Sequence, residues 1–82
     1  MTSHDLPPVP EDAPRVGEMY AHFKTGNRYE VVGIALDATD EWVVVYRPLY
    51  DGAVAELFTR PCKEWHALVA WQGHTVRRFE IA

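Results

Sequence analysis

Past residue 16 the apolar positions fall into short runs with a period of two, broken at regular intervals by turn residues. Met19, Ala21 and Phe23 alternate with Tyr20, His22 and Lys24, which predicts a half-buried strand with one set on each side. Thr25-Gly26-Asn27 then supplies residues that tolerate positive φ, so Arg28 to about Leu36 returns antiparallel and closes a hairpin. After the loop Asp37-Ala38-Thr39-Asp40, the run Trp42-Val43-Val44-Val45-Tyr46-Arg47 suits a pleated, buried surface and predicts a central strand. Pro48 cannot donate to a ladder and is expected near that strand's end.

The remainder continues in the same style. Asp51-Gly52 predicts a hairpin turn, with Val54 to Arg60 pairing back. Arg60 to His66 reads as a short helical turn with Pro61 at its start, where a missing N–H costs nothing. Leu68 to Trp71, the turn Gln72-Gly73 and Thr75 to Ile81 complete the set. Five or six short strands joined by tight turns predict a mainly β domain, a small SH3-like antiparallel barrel with one short helical turn.

Residues 1–16 break the pattern. They hold Pro7, Pro8, Pro10 and Pro14, each of which removes a donor and fixes φ, so the stretch is expected to be a disordered proline-rich tail before one domain at 17–82. Pro7-Pro8-Val9-Pro10 also has the form of a polyproline II ligand, although it lacks flanking basic residues.

Composition narrows the class. Hydrophobic residues at 48% and charged residues at 24% predict a packed core, and 82 residues leave room for only one. The single cysteine, Cys62, forms no disulfide within the chain and rules out cysteine-rich zinc folds. The formal charge is −4, of which residues 1–16 carry −2 through Asp5, Glu11 and Asp12 against Arg15. This is not the balance of a polybasic nucleic-acid binder, and no specific DNA binding is expected. No apolar run approaches a membrane span, so no membrane association is expected and the cytoplasm is the default location.

A family resemblance is carried by an ordered series of motifs: Gly17-x-x-Tyr20-x-His22-Phe23-Lys24-x-Gly26-x-x-Tyr29-Glu30-Val31, then Val44-Val45-Tyr46-Arg47-x-Leu49-Tyr50, then Arg60-Pro61 and Arg78-Phe79. Over about residues 17–80 the chain resembles the bacterial domain-of-unknown-function 1653 family. It departs from the family at Asp37-Ala38-Thr39-Asp40-Glu41, where the family writes a His-Ser-Glu-Thr-Glu loop, and at Phe58, where a Trp is usual. The resemblance implies a compact β domain and brings no activity, substrate or cofactor.

Candidate chemistry lies in a few side chains. Tyr20, His22 and Lys24 share a strand face and offer phenol, imidazole and ammonium to one ligand; the bland alternative is a solvated face. Tyr46, Arg47 and Tyr50 form an aromatic, basic strand end suited to a carboxylate, a phosphate or a stacked ring, or else Tyr46 packs inward and Arg47 pairs with an acid such as Glu30 or Glu56. Arg60, just before Pro61, either binds an anion or locks the turn, and Arg78 has the same two readings. Cys62 is expected to be a buried small hydrophobe, with His66 four residues on as its one candidate base. The four histidines are scattered without metal-ligand spacing, so no metal is predicted, and no cofactor signature is present.

These residues favour a binding module for an anionic or aromatic ligand, a nucleotide, RNA or peptide, over an enzyme. The competing reading is a small hydrolase or nucleotide-processing enzyme with His22 as base and Lys24 or Arg60 stabilising charge, which needs a cleft and an orienting acid. A third is self-association or partner binding through Trp42, Trp65 or Trp71, as a monomer or weak dimer, since three tryptophans overfill so small a core.

Overall fold

A computed structural model describes residues 7–82. The expectation of a tail at residues 1–6 lies outside the described residues. Seven strands and one short helix follow in chain order: β1 (Met19–His22), β2 (Arg28–Leu36), β3 (Trp42–Pro48), β4 (Phe58–Pro61), α1 (Cys62–Trp65), β5 (Leu68–Trp71), β6 (His74–Arg77) and β7 (Phe79–Ile81). Five strands form one antiparallel sheet in the order β4-β3-β2-β1-β7, and β5 and β6 pair as a separate hairpin. The sheet curls into a half-barrel, in keeping with the mainly β expectation.

The curl has a local cause in β2. The pairing of β2 with β3 slips between Val31 and Gly33, a bulge that bends the strand and lets both halves turn apolar residues to the concave side. Val31, Val44, Tyr46, Tyr20 and Phe79 fill that side, and α1 lays Cys62 and Trp65 across it. Trp65 and Phe79 stack at 4.1 Å with 8° between their planes, while Tyr20 and Tyr46 meet Trp65 edge-on at 5.2 and 5.0 Å. Rings of this size each bury roughly 150–250 Å², so a few aromatics carry most of the burial. Trp65 is fully buried, whereas Trp42 and Trp71 are only partly so.

Three expectations need correction. The first concerns β1, where the Tyr20, His22 and Lys24 face is expected to meet a ligand or solvent. The set Tyr20 and His22 turns to the concave side and Met19 is 49% exposed, because Tyr20 stands opposite Tyr29 and Ile81, and His22 opposite Phe79. The second concerns β4, which begins at Phe58 rather than Val54: Val54 is 94% exposed and Tyr46 pairs with Phe58, so the connection after β3 is a long loop rather than a tight Asp51-Gly52 hairpin. The third is strand number. Thr75 to Ile81 is expected as one strand, but the chain bends at Arg78, so that β6 pairs with β5 and β7 pairs with β1. Arg78 N–H donates to Ala67 O at 2.9 Å and Phe23 N–H donates to Arg78 O at 3.0 Å, which ties the hairpin to the sheet at the bend.

Residues 7–16 hold no strand or helix, as their prolines dictate, and they lie against the domain. Pro14 is buried, Ala13 packs on the core, Trp42 Nε1–H donates to Pro7 O at 2.7 Å, and His66 Nε2 lies 2.8 Å from Asp12 O. No helix among the described residues is long and apolar enough to cross a membrane.

Candidate functional site

The concave face leaves a cavity of about 340 Å³ near the open side of the half-barrel, where β4 and β7 form the two edges of the sheet. Its floor is aromatic. Tyr29 on β2, Tyr46 on β3, Phe58 on β4 and Phe79 on β7 meet there, with Tyr29 edge-on to Tyr46 at 5.3 Å and to Phe79 at 6.0 Å. Polar groups ring the floor: His22 at the end of β1, Thr25 and Asn27 from the following turn, Tyr50 from the loop after β3, and Arg60 on β4. The hydroxyls of Tyr29 and Tyr50 are 3.1 Å apart. None of the nine lining residues is acidic, although acids outnumber bases 12 to 8 in the chain.

Positive charge concentrates at this rim. Arg60 is 27% exposed and its Cζ lies 5.6 Å from the centroid of the Phe79 ring, a cation–π distance that holds the guanidinium across the gap between the edge strands. Glu64 approaches its Nη1 at 3.6 Å from outside the cavity lining, and Arg60 Nε is buried with no hydrogen-bond partner. Arg78 Nε is buried and unpartnered in the same way. Burial first, then the charges of Arg60, Arg78 and Lys24, hold the His22 imidazole below the ordinary histidine pKa, so at neutral pH it is uncharged. Lys24 N–H donates to His22 Nδ1 at 3.2 Å, which leaves the ring proton on Nε2 and makes His22 a donor there. Tyr29 is pushed up to about 12, chiefly by burial and then by its bond to Tyr50, and keeps its proton.

The residues singled out from the sequence divide between this site and other places. His22, Tyr46, Tyr50 and Arg60 line the cavity, and Arg78 stands close enough for its charge to act on His22. Tyr20 lies in the core, 4% exposed, with its hydroxyl donating to Glu18 Oε1 at 2.9 Å and its pKa raised to about 12 by burial and then by Glu18. Lys24 is exposed in the turn. Arg47 is exposed on the convex side, directly opposite Glu30 in the ladder and ion-paired with it, with Nε 2.8 Å from Oε1. Burial, then Asp12 and Glu41, push the Cys62 thiol up, so it is not a poised thiolate, and His66 is turned to the carbonyl of Asp12. No cluster of three metal-ligating side chains is found among the described residues.

Sequence reasoning missed Thr25, Asn27, Tyr29, Phe58 and Phe79. A signal for Tyr29 was present, since a hairpin turned at Thr25-Gly26-Asn27 sets it opposite Tyr20 and on the same face. A second cavity, of about 510 Å³, lies beside Tyr20, His66, Arg77 and Glu80. It contains an acid and no buried unpartnered polar atom, so it offers less to a ligand.

The model of a family described as "Protein of unknown function (DUF1653)" matches residues 18–81. The chain belongs to the DUF1653 family. A solved crystal structure of a DUF1653 protein from Bordetella bronchiseptica is similar at a TM-score of 0.73 with 36% identity, covering 83% of this chain and 86% of that one. No functionally curated protein shows significant similarity to the chain. The DUF1653 match spans every strand and every lining residue of the aromatic cavity, and it leaves residues 7–17 outside. The cavity is thus built wholly from residues within the DUF1653 match, and the proline-rich segment lies outside it.

Proposed function

We propose that this DUF1653 domain is a binding module for a small phosphate-bearing ligand with a flat ring, of the chemical class of a mononucleotide. One observation carries the reading: the Arg60 guanidinium, with its Cζ 5.6 Å from the Phe79 ring, and a neutral His22, with the charge of Arg78 acting on it, stand beside an aromatic floor with no acidic lining. The Arg60 guanidinium, held by Glu64 only at 3.6 Å, offers charge-assisted N–H donors to an anion's oxygens while Tyr29, Tyr46 and Phe58 receive a ring. The volume, about 340 Å³, fits one small molecule rather than a run of bases, and the exposed Arg47 that a nucleic-acid backbone would use is neutralised by Glu30. The free thiol Cys62 accords with a reducing compartment, and we take the cytoplasm as the place of action and an SH3-like barrel as the parent of the curl.

The hydrolase reading gains less. A base needs a lone pair for the substrate proton, but His22 Nδ1 already accepts from Lys24 N–H, and no carboxylate lines the cavity to orient the ring. The test is a two-dimensional amide NMR titration of the full chain with adenosine, guanosine, cytidine and uridine monophosphates and with inorganic phosphate. Shifts are expected at His22, Asn27, Arg60 and Phe79. Replacing Arg60 by Ala should weaken binding about 10- to 100-fold, the worth of one charge-assisted hydrogen bond. Shifts confined to the convex face around Arg47, or none with any of these ligands, would sink the proposal.

A further inference from the structure

The anion site makes no use of the proline-rich segment, and that segment packs elsewhere, against Trp42. Pro7 and Val9 each precede a proline, so their backbones are held extended, and Pro7, Pro8 and Pro10 have fixed φ. Pro7-Pro8-Val9-Pro10 is therefore a stiff, donor-poor P-x-x-P stretch that pays little entropy on docking. Pro7, Pro8 and Pro10 form one wall of a hollow of about 270 Å³ whose other wall is Trp42, Cys62 and Lys63, edged by Asp40 and Glu41. Trp42 Nε1–H donates to Pro7 O at 2.7 Å. An aromatic groove with one donor aimed at a carbonyl of a preformed extended segment is the means by which proline-rich ligands are taken generally.

One charge at this contact is left without a partner. Lys63 is held by Glu41 at 2.9 Å, and Asp40 has no ion-pair partner among the described residues. The segment continues into Glu11 and Asp12 and holds no basic residue between Pro7 and Pro14, so it supplies no cation to Asp40. A P-x-x-P segment flanked by Lys or Arg keeps the indole bond and adds a partner for Asp40. We propose that the Trp42 face is a docking site for a proline-rich, basic-flanked segment of a partner protein, and that Pro7–Pro10 covers it in cis as a built-in competitor. The cis segment lowers apparent affinity by the fraction of time it covers that face.

The test uses the full chain and a synthetic peptide, Arg-Pro-Pro-Val-Pro-Arg, with the Trp42 indole N–H resonance assigned through W42F. The variant P8G/P10G lies outside the sheet, so its amide dispersion should match the parent while its Trp42 face stands open. The peptide is expected to shift the Trp42 indole in both proteins and to bind the variant about tenfold more tightly. W42F in the P8G/P10G background should lose the binding. Equal affinity for parent and variant overturns the cis competitor. No binding to the variant, or binding that leaves the Trp42 indole unmoved or survives W42F, overturns the docking site itself.

Discussion

At the scale of single residues, His22 is the group whose chemistry is most set by its neighbours. Burial and the charges of Arg60, Arg78 and Lys24 lower its folded pKa below the unfolded value of 6.5, so between those two values the unfolded chain binds the proton that the folded chain refuses. Stability therefore rises with pH across that window, is lost as pH falls below about 6.5, and is indifferent to His22 above about 7.5. Denaturant midpoints measured from pH 7.5 to 5 should fall for the parent and fall less steeply for H22N; parallel curves would show that His22 is not strained by its surroundings. An anion held beside Arg60 and Arg78 reverses the sign of the local field, so inorganic phosphate should raise the His22 pKa, followed by its ring proton shift. The part of this that sequence shows is the presence of His22, Arg60 and Arg78. Their convergence is hidden, because Tyr20 and Met19 are both plausible inward residues and only the pairing of β1 with β7 decides that the His22 side faces in.

At the scale of elements, the β5–β6 hairpin is the piece whose local chemistry is least well matched to its shape. Trp71 pairs with His74 across a two-residue loop in which Gln72 has φ 51° and Gly73 has φ 81°. Positive φ at both positions is the type I′ geometry that matches strand twist and favours Asn-Gly. Gln72 pays for a conformation that Asn adopts more readily, so Q72N should stabilise the fold by a few tenths to about 1 kcal/mol. G73A, with open space around the added methyl but a strained backbone, should destabilise by about 1 kcal/mol. Thermal unfolding of both variants checks the pair, and a rise in melting temperature for G73A would contradict the argument. This turn was legible in the sequence because Gly marks it. The bend at Arg78 left only a trace there: Val76 is out of phase with Phe79 and Ile81 across Arg77-Arg78, a slip too short to announce that the two halves pair with different partners. The loop before β4 misled for the opposite reason: Asp51-Gly52 does form a turn, but Val54, apolar and 94% exposed, carries no strand after it.

At the scale of the whole molecule, the half-barrel is held unevenly. The β2–β3 ladder is the longest and lies at the centre of the sheet, with Val31 and Val44 fully enclosed, whereas β5 and β6 pair only with each other and join the sheet through Arg78. Local opening follows such differences, since segments with few buried contacts open at a smaller cost than the global unfolding free energy. Native-state hydrogen exchange should therefore give Val31 and Val43 to Tyr46 the highest protection and the hairpin amides of Val69 and Val76 much lower values. The anion site adds a second expectation. It spans the gap between the edge strands, with Arg60 on β4 reaching over Phe79 on β7, so a bound ligand ties the two edges of the open sheet together. Ligand at a hundred times its dissociation constant stabilises the folded state by about 2.7 kcal/mol, and that gain appears wherever an opening breaks the site. Exchange at His22, Phe79 and Arg60 should slow when phosphate or a nucleotide binds, while the β5–β6 hairpin keeps its own rate because its opening leaves β4 and β7 in place. Slowing that is uniform across hairpin and sheet would mean that the hairpin and the barrel open as one unit, and the picture of a ligand closing the edge of a separable half-barrel would fail.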